Sequence, residues 1–516
     1  MSSYPDAGPQ AGTVTDPAPE RPAVPERPAT AHALVPPAPE RLDPRDRTVI
    51  ALLLVAGFVV ILNETAMGVA LPVLMTELGV TAATGQWLTT GFMLTMAVVI
   101  PATGWVMDRF RTRQVFVAAM SLFSVGTLVA ALAPGFGVLL LGRVVQASGT
   151  AVMIPLLMTT VLTLVPPSIR GRTMGTISIV ISVAPAVGPT LSGLVLSQLS
   201  WRWIFGVVLP IAVAALLLGV WKVRDVTTPR DARLDVLSLA LSAVGFGALI
   251  YGLSSIGEAA GGHAPVAPWI PITVGVLALL VFGRRQVLLS RGVGALLDLR
   301  VFANRSYTVS TLVLVISFMA MFGALIVLPI FLQDVLERGT LQTGLLLLPG
   351  GVVMGALAPL VGRLFDRIGP RPLVIPGAVA MSTALWLLST LHPGASAASV
   401  VAVHVLLSAG LAFMFTPLFT SALGSLPREL YGHGSAIVNT VQQLAGAAGT
   451  ALFITVLSTT TAARLDAGAD LLTATADGVQ RAFLWGGVVS VVAVGASLLV
   501  RRPAPDAAAG ERPAVH

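Results

Sequence analysis

The chain has 516 residues, of which 55% are hydrophobic and only 11% charged. A soluble domain carries about 25% charged residues, so this supply excludes a set of ordinary soluble domains and points to one integral membrane body. The net charge of +7 does not indicate nucleic acid, because the basic residues stand singly or in small groups in short loops between apolar runs. With no cysteine, disulfide and thiol chemistry are excluded.

Residues 1–44 are rich in Pro, Ala and Glu and read as a disordered cytoplasmic tail, without the apolar core of a signal peptide. Apolar runs of about 17 to 25 residues then predict fourteen transmembrane helices. The first six span 48–69, 86–106, 115–133, 137–160, 173–197 and 202–222. Two more follow at 234–255 and 266–284, the second being the weakest because it is short and opens with Pro268 and Pro271. The last six span 307–332, 343–362, 371–391, 397–424, 434–458 and 481–500, and 503–516 form a second cytoplasmic tail.

Loop arginines orient these spans. With the N-terminus inside, the inner loops hold groups such as Arg109, Arg111 and Arg113, or Arg363, Arg367 and Arg371. The outer loops hold only Arg202, Arg338, Arg464 and Arg481. A bias of about six to one places both termini in the cytoplasm and requires an even number of spans. Of the 31 lysines and arginines only Lys222 is lysine, and with abundant Ala, Gly and Pro this fits a GC-rich bacterial genome.

The chain also repeats itself. GWVMDRFRTR (104–113) and GRLFDRIGPR (362–371) both fit Gly-x-x-x-Asp-Arg-x-x-x-Arg. Each copy follows the second span of a six-span block. That predicts an all-α membrane protein of two six-helix bundles, 45–222 and 307–502, joined by a linker with two inserted helices, 223–306.

The repeated loop resembles the signature of the major facilitator superfamily. LLGRVVQASGTAV (140–152) is similar to the family's fourth-helix motif, and SVAPAVGPTLSG (182–193) to its fifth-helix antiporter motif. ILNETAMGVALP (61–72) resembles the first-helix motif of the fourteen-helix drug:proton antiporters, the group that includes lincomycin-resistance-like exporters. Many relatives carry an aspartate where Asn63 stands, and here the acid is the neighbouring Glu64. The resemblance covers residues 45–500 and implies the major facilitator fold, a proton-coupled exporter, and a latch at the Gly104, Asp108, Arg109, Arg113 loop and its copy at Asp366 and Arg367.

Individual residues carry the chemistry. At 1.5 Å per residue Glu64 lies about 24 Å from the inner end of its helix, and Arg143 about 9 Å from the outer end of an opposing one. Both fall in the outer third of a core about 30 Å thick, where charge is costly and faces the bundle interior. A carboxyl that is protonated in one state and charge-paired in the other is what a proton-coupled carrier needs, so Glu64 and Arg143 are the candidate coupling pair; water binding by Glu64 and helix bracing by Arg143 are the competing roles. Asn63 and Gln146, which flank that pair, are candidate cavity and substrate residues.

Asn439, Gln442 and Gln443 share one face of the thirteenth span and must turn inward, to substrate or to neighbouring helices. In the fifth span Ala184, Gly188 and Ser192 form a small-residue face that ends near Gly193, and Pro185 and Pro189 remove backbone donors. A matching stripe, Gly351, Gly355 and Pro359, lies on the tenth span, so the two are expected to pack across the boundary between halves. Met93, Met96, Phe318, Met321 and Phe415 are read as membrane-facing or packing positions ahead of the competing reading as a greasy, adaptable pocket, and are given no place in the site.

Neither a phosphate-binding Gly-x-x-x-x-Gly-Lys loop nor a metal-ligand cluster stands in the sequence. The chain is therefore expected to be no enzyme and to use no metal or cofactor, drawing energy from the proton motive force. Its expected partners are a small lipophilic substrate, protons and the bilayer, with the chain working as a monomer in the bacterial cytoplasmic membrane. Nutrient uptake on the same fold, and a membrane enzyme using such a bundle, are the rival readings.

Overall fold

Lipid offers no partner to backbone N–H and C=O groups, so a chain this apolar crosses a bilayer as helices that satisfy themselves. The computed structural model follows that rule and describes residues 43–165, 184, 187–226, 229, 235–260, 266–289, 296–427 and 430–500. Helix α1 (Pro44–Leu78) is followed by the single turn α2 (Ala82–Gly85), then α3 (Trp87–Arg109), α4 (Thr112–Ala131), α5 (Phe136–Leu164), α6 (187–198) and α7 (Arg202–Lys222). The inserted pair is α8 (Val236–Ala260) and α9 (Trp269–Leu289). The second half holds α10 (Arg305–Ile330), α11 (Thr340–Ile368), α12 (Arg371–Leu388), α13 (Ala397–Gly424), α14 (Tyr431–Asp466) and α15 (Leu471–Ser497). Among the described residues thirteen spans are long and apolar enough to cross a membrane. Helix α6 is the described part of the fifth predicted span.

Several limits differ from those the apolar runs predict, each for a local reason. Helix α1 continues through Pro72 to Leu78 and stops at Gly79, whose φ of 63° suits only a residue without a Cβ penalty. Helix α14 runs on to Asp466, and α15 begins at Leu471, well before 481. The polar residues that lower hydropathy there are satisfied: the Asp470 side chain caps α15 by accepting from Thr473 N, Asp477 pairs with Arg464 at 2.6 Å, and Gln480 donates to the Leu391 carbonyl. Helix α9 sits later than predicted, with Pro271 in its first turn, where a missing N–H costs nothing.

The helices form two six-helix bundles. In the first, α4 packs on α5 and α7, α3 on α5, and α1 on α5 and α7. In the second, α10 packs on α13, α14 and α15, α11 on α13, and α12 on α13 and α15. The apolar core of the second bundle, built around residues such as Phe331, Val374, Leu385, Met414 and Phe483, continues onto Val69, Leu71 and Met93 of the first, and the first bundle holds further buried clusters within itself. Large apolar side chains on the outer surfaces, including Leu141, Leu217 and Leu280, are more than half exposed, as a lipid-facing surface requires.

The inserted pair lies over a seam. Helix α8 packs on α3 of the first half and on α14 of the second, while α9 packs on α8. The Trp87 and Tyr251 rings lie 5.6 Å apart, and Gln86 Nε2 donates to the Ser254 carbonyl at 3.2 Å. At the opposite, arginine-rich face of the molecule Arg285 grips Asp235 through Nε and Nη2, both at 3.0 Å, which ties the ends of α8 and α9 together. The buried Gln286 extends that clamp, donating to Ser238 Oγ at 2.7 Å and accepting from Leu297 N at 3.1 Å.

Candidate functional site

A guanidinium inside an apolar bundle needs a polar cage, and α1, α3, α4 and α5 build one around Arg143. Arg143 is fully buried, and its Nη1 donates to Gln146 Oε1 at 2.7 Å and to Asn63 Oδ1 at 2.9 Å. Its Nε donates to the Leu88 carbonyl at 3.3 Å, and its plane lies 4.0 Å over the Phe92 ring. Gln146, one turn along α5, donates from Nε2 to Thr127 Oγ1 at 2.8 Å, and that hydroxyl donates to the Phe123 carbonyl. This last link needs α4 and α5 in close contact. Gly126 permits it, since a Cβ there would sit 2.6 Å from the Gly142 carbonyl oxygen.

The cage is incomplete. Arg143 Nη2 and Asn63 Nδ2 are buried without hydrogen-bond partners. Glu64, the next residue on α1, is half-buried, and Arg143 is the charge that acts on it. Matched depth suggests a direct Glu64–Arg143 pair; instead the guanidinium gives its hydrogen bonds to Asn63 and Gln146 and reaches Glu64 through space.

Across the molecule, Asn439 and Gln442 on α14 are half-buried, and Gln443 is buried with Oε1 lacking a partner. They share a helix that packs on α3, the helix carrying Leu88 and Phe92. The first half thus contributes a charged cage and the second an amide face. Phe318 stacks on Phe415 at 4.6 Å, and Met93 and Met96 are buried, in keeping with packing roles.

The repeated loops lie at the arginine-rich ends. Gly104, Asp108, Arg109, Asp366 and Arg367 are exposed. The backbone N–H of Arg113 donates to Asp225 Oδ1 at 3.2 Å, Arg111 approaches Asp225 Oδ2 at 3.7 Å, and Val226 N donates to Thr112 Oγ1. Asp225, just beyond α7, was not among the residues that the motif singles out; an acid set between Arg224 and the basic loop residues was the available signal.

Among the described residues Gly188 packs within the first half, where a Cβ would overlap Thr65 Oγ1 and approach Leu62 O of α1. Pro189, Thr190 and Gly193 cross to α11 at Thr340 and Gly344: Thr190 Oγ1 donates to the Gly344 carbonyl at 3.1 Å, and a Cβ at Gly344 would lie 2.9 Å from Pro189 O. Pro185 lies outside the described residues.

Among the described residues the halves meet through α6 on α11, through α1 on α10, where Gly68 abuts Leu325 and Gln333 Nε2 donates to the Val69 carbonyl at 3.2 Å, and through α3 on α14, with Met93 near Gly446.

Two bundles, a motif-bearing loop at matching ends and a polar cage in the first half define a membrane transporter, and comparison with known proteins agrees. The Major Facilitator Superfamily model matches residues 53–450, and the chain belongs to that family. It is 40% identical over 459 residues to a lincomycin resistance protein of Listeria monocytogenes, covering 88% of this chain and 96% of the relative. It is 30% identical over 438 residues to a multidrug resistance protein B homolog of Mycobacterium tuberculosis, covering 81% and 78%. Among solved structures, a bacterial homolog of the human lysosomal transporter Spinster, in an inward-facing conformation, superposes with a TM-score of 0.63 at 15% identity, covering 89% of this chain and 97% of that one.

Proposed function

We propose that this protein exports lipophilic drugs or antibiotics across the bacterial cytoplasmic membrane in exchange for protons. It works as a monomer, with both termini in the cytoplasm and the arginine-rich face turned inward. The names of the two relatives, lincomycin resistance and multidrug resistance, support drug export as the task.

The observation that carries the coupled mechanism is the buried cage beside Glu64. Among the described residues Glu64 is the one carboxyl in the middle of a first-half span, and Arg143 is its nearest buried charge. A proton arriving from outside neutralises Glu64 and removes its attraction for Arg143. The guanidinium then relies on Asn63 and Gln146 alone, and the balance between two arrangements of the first half shifts. Loss of the proton to the cytoplasm restores the attraction.

Alternating access follows by rocking of the halves 45–222 and 307–502. The seals at Gly68/Leu325 and Thr190/Gly344 close the outer end, so the arrangement described suits loading from the cytoplasm. Opening of that end must break these contacts, and closure of the inner end would engage Asp108 and its repeat as the latch. No cofactor enters this cycle; the proton motive force drives it.

Everted membrane vesicles carrying the protein provide the test. Energised vesicles should accumulate ethidium and lincomycin, and a protonophore should abolish the accumulation. Accumulation confined to right-side-out vesicles would instead establish uptake and defeat the proposal.

A further inference from the structure

The Arg143 guanidinium rests on an aromatic face as well as on hydrogen bonds. Its Cζ lies 4.0 Å from the centre of the Phe92 ring. Phe92 is 1% exposed and shares a buried cluster with Met96, Ile100, Ala147 and Ala151 of α3 and α5. Leu88, one turn earlier on α3, supplies the carbonyl that accepts from Arg143 Nε at 3.3 Å. One helix thus brings a backbone oxygen and a ring face to the same cation.

The face of an aromatic ring is electrically negative, and its attraction for a guanidinium is greatest where water is excluded. Arg143 is fully buried, and its other neutral partners are the side-chain oxygens of Asn63 and Gln146. Among the described residues Glu64 is the one opposite charge that acts on it. That attraction ends each time the carboxyl takes a proton, and a buried charge left unpaired is costly. The ring does not titrate, so its support is the same whether Glu64 is charged or neutral. It also covers the flat side of the guanidinium, which hydrogen bonds in the plane of the N–H groups do not reach.

We infer that Phe92 is a positioning residue for proton coupling: its ring face carries the Arg143 charge while Glu64 is protonated and keeps the guanidinium in place for the returning carboxylate. The inference rests on the exporter reading and adds the group that steadies Arg143 when its counter-charge is gone. Without the ring, neutralising Glu64 strands the cation, so proton binding is resisted and exchange slows.

Fluorine drains negative charge from a ring face while hardly changing its size, and so separates charge from packing. Phe92 is replaced by mono-, di- and trifluorophenylalanine through nonsense suppression, and Phe92→Leu is made beside them. Ethidium-dependent proton flux is measured in proteoliposomes with an imposed pH gradient, and ethidium binding by its fluorescence. Flux should fall with each added fluorine, by about tenfold for the trifluoro ring and for Phe92→Leu. Ethidium binding should stay within about twofold throughout. A flux that does not fall in step with fluorination makes Phe92 a packing group and refutes the inference. A loss of ethidium binding that tracks the loss of flux puts the ring in the drug site and refutes it too. Absence of ethidium-dependent flux in the intact protein would overturn the exporter reading, and the role of Phe92 with it.

Discussion

Arg143 of α5 donates to Asn63 Oδ1 at 2.9 Å, one residue before Glu64 on α1. The hydrogen bond fixes the guanidinium beside the acid without consuming it, so Glu64 can gain or lose a proton while Arg143 stays anchored. A geometry with both Nη atoms on Glu64 would make protonation break the anchor itself.

Arg143→Ala should therefore damage both stability and transport. It leaves Asn63 Oδ1 and Gln146 Oε1 buried with no donor from Arg143, at about 1–3 kcal/mol for each orphaned group. Thermal unfolding in detergent should shift down by several degrees, and drug transport should fall at least tenfold. Arg143→Lys keeps the charge but not the forked geometry, and should recover stability in part while transport stays low.

Gly344 lets α11 approach Pro189 and Thr190 of α6, the contact proposed to seal the outer end. Gly344→Val should wedge α6 from α11 and shift the protein toward an outward-open arrangement. The chain has no cysteine of its own, so a Leu325→Cys reporter can be read without background. Labelling of that cysteine by an impermeant maleimide from outside should be slow in the parent and several-fold faster with Gly344→Val.

The Asp235–Arg285 clamp should show a definite pH dependence. Hydrogen bonds from Arg285 hold the Asp235 carboxyl at about 2, below its ordinary value of 3.8. A lowered folded-state value means that the ionised form contributes stability above the ordinary value, and that this contribution disappears as pH falls toward the folded value. The stability difference between the intact protein and Asp235→Asn should be constant from pH 7 to 5 and shrink between about 4 and 2. A difference that grew on acidification would contradict the assignment.

Asp225 ties the first Asp-Arg loop to the end of α7 at an exposed site, where such pairs contribute about 1 kcal/mol or less. Asp225→Ala should leave the unfolding temperature within about two degrees and change transport rate instead, measurable as a lowered Vmax at unchanged KM.

Much of this architecture is legible in the residues. Apolar runs locate the spans because every residue of a lipid-crossing helix must contribute to its hydropathy, and the repeated Asp-Arg loop marks the two halves. The start of α15 is not legible that way, since Asp477 and Gln480 are paid for by Arg464 and the Leu391 carbonyl, partners that only folding supplies. Depth along a helix brings Glu64 and Arg143 to one level, yet the choice of Asn63 as the hydrogen-bond acceptor depends on helix rotation, which a pattern of apolar residues leaves open.

Substrate-driven proton movement tests the central claim most directly. Purified protein in proteoliposomes with an imposed pH gradient and an internal pH dye is exposed to ethidium, and Glu64→Gln is measured in parallel. The account predicts ethidium-dependent proton flux in the intact protein and none in Glu64→Gln, with ethidium binding retained. Undiminished proton flux in Glu64→Gln would contradict it and remove Glu64 from the coupling step.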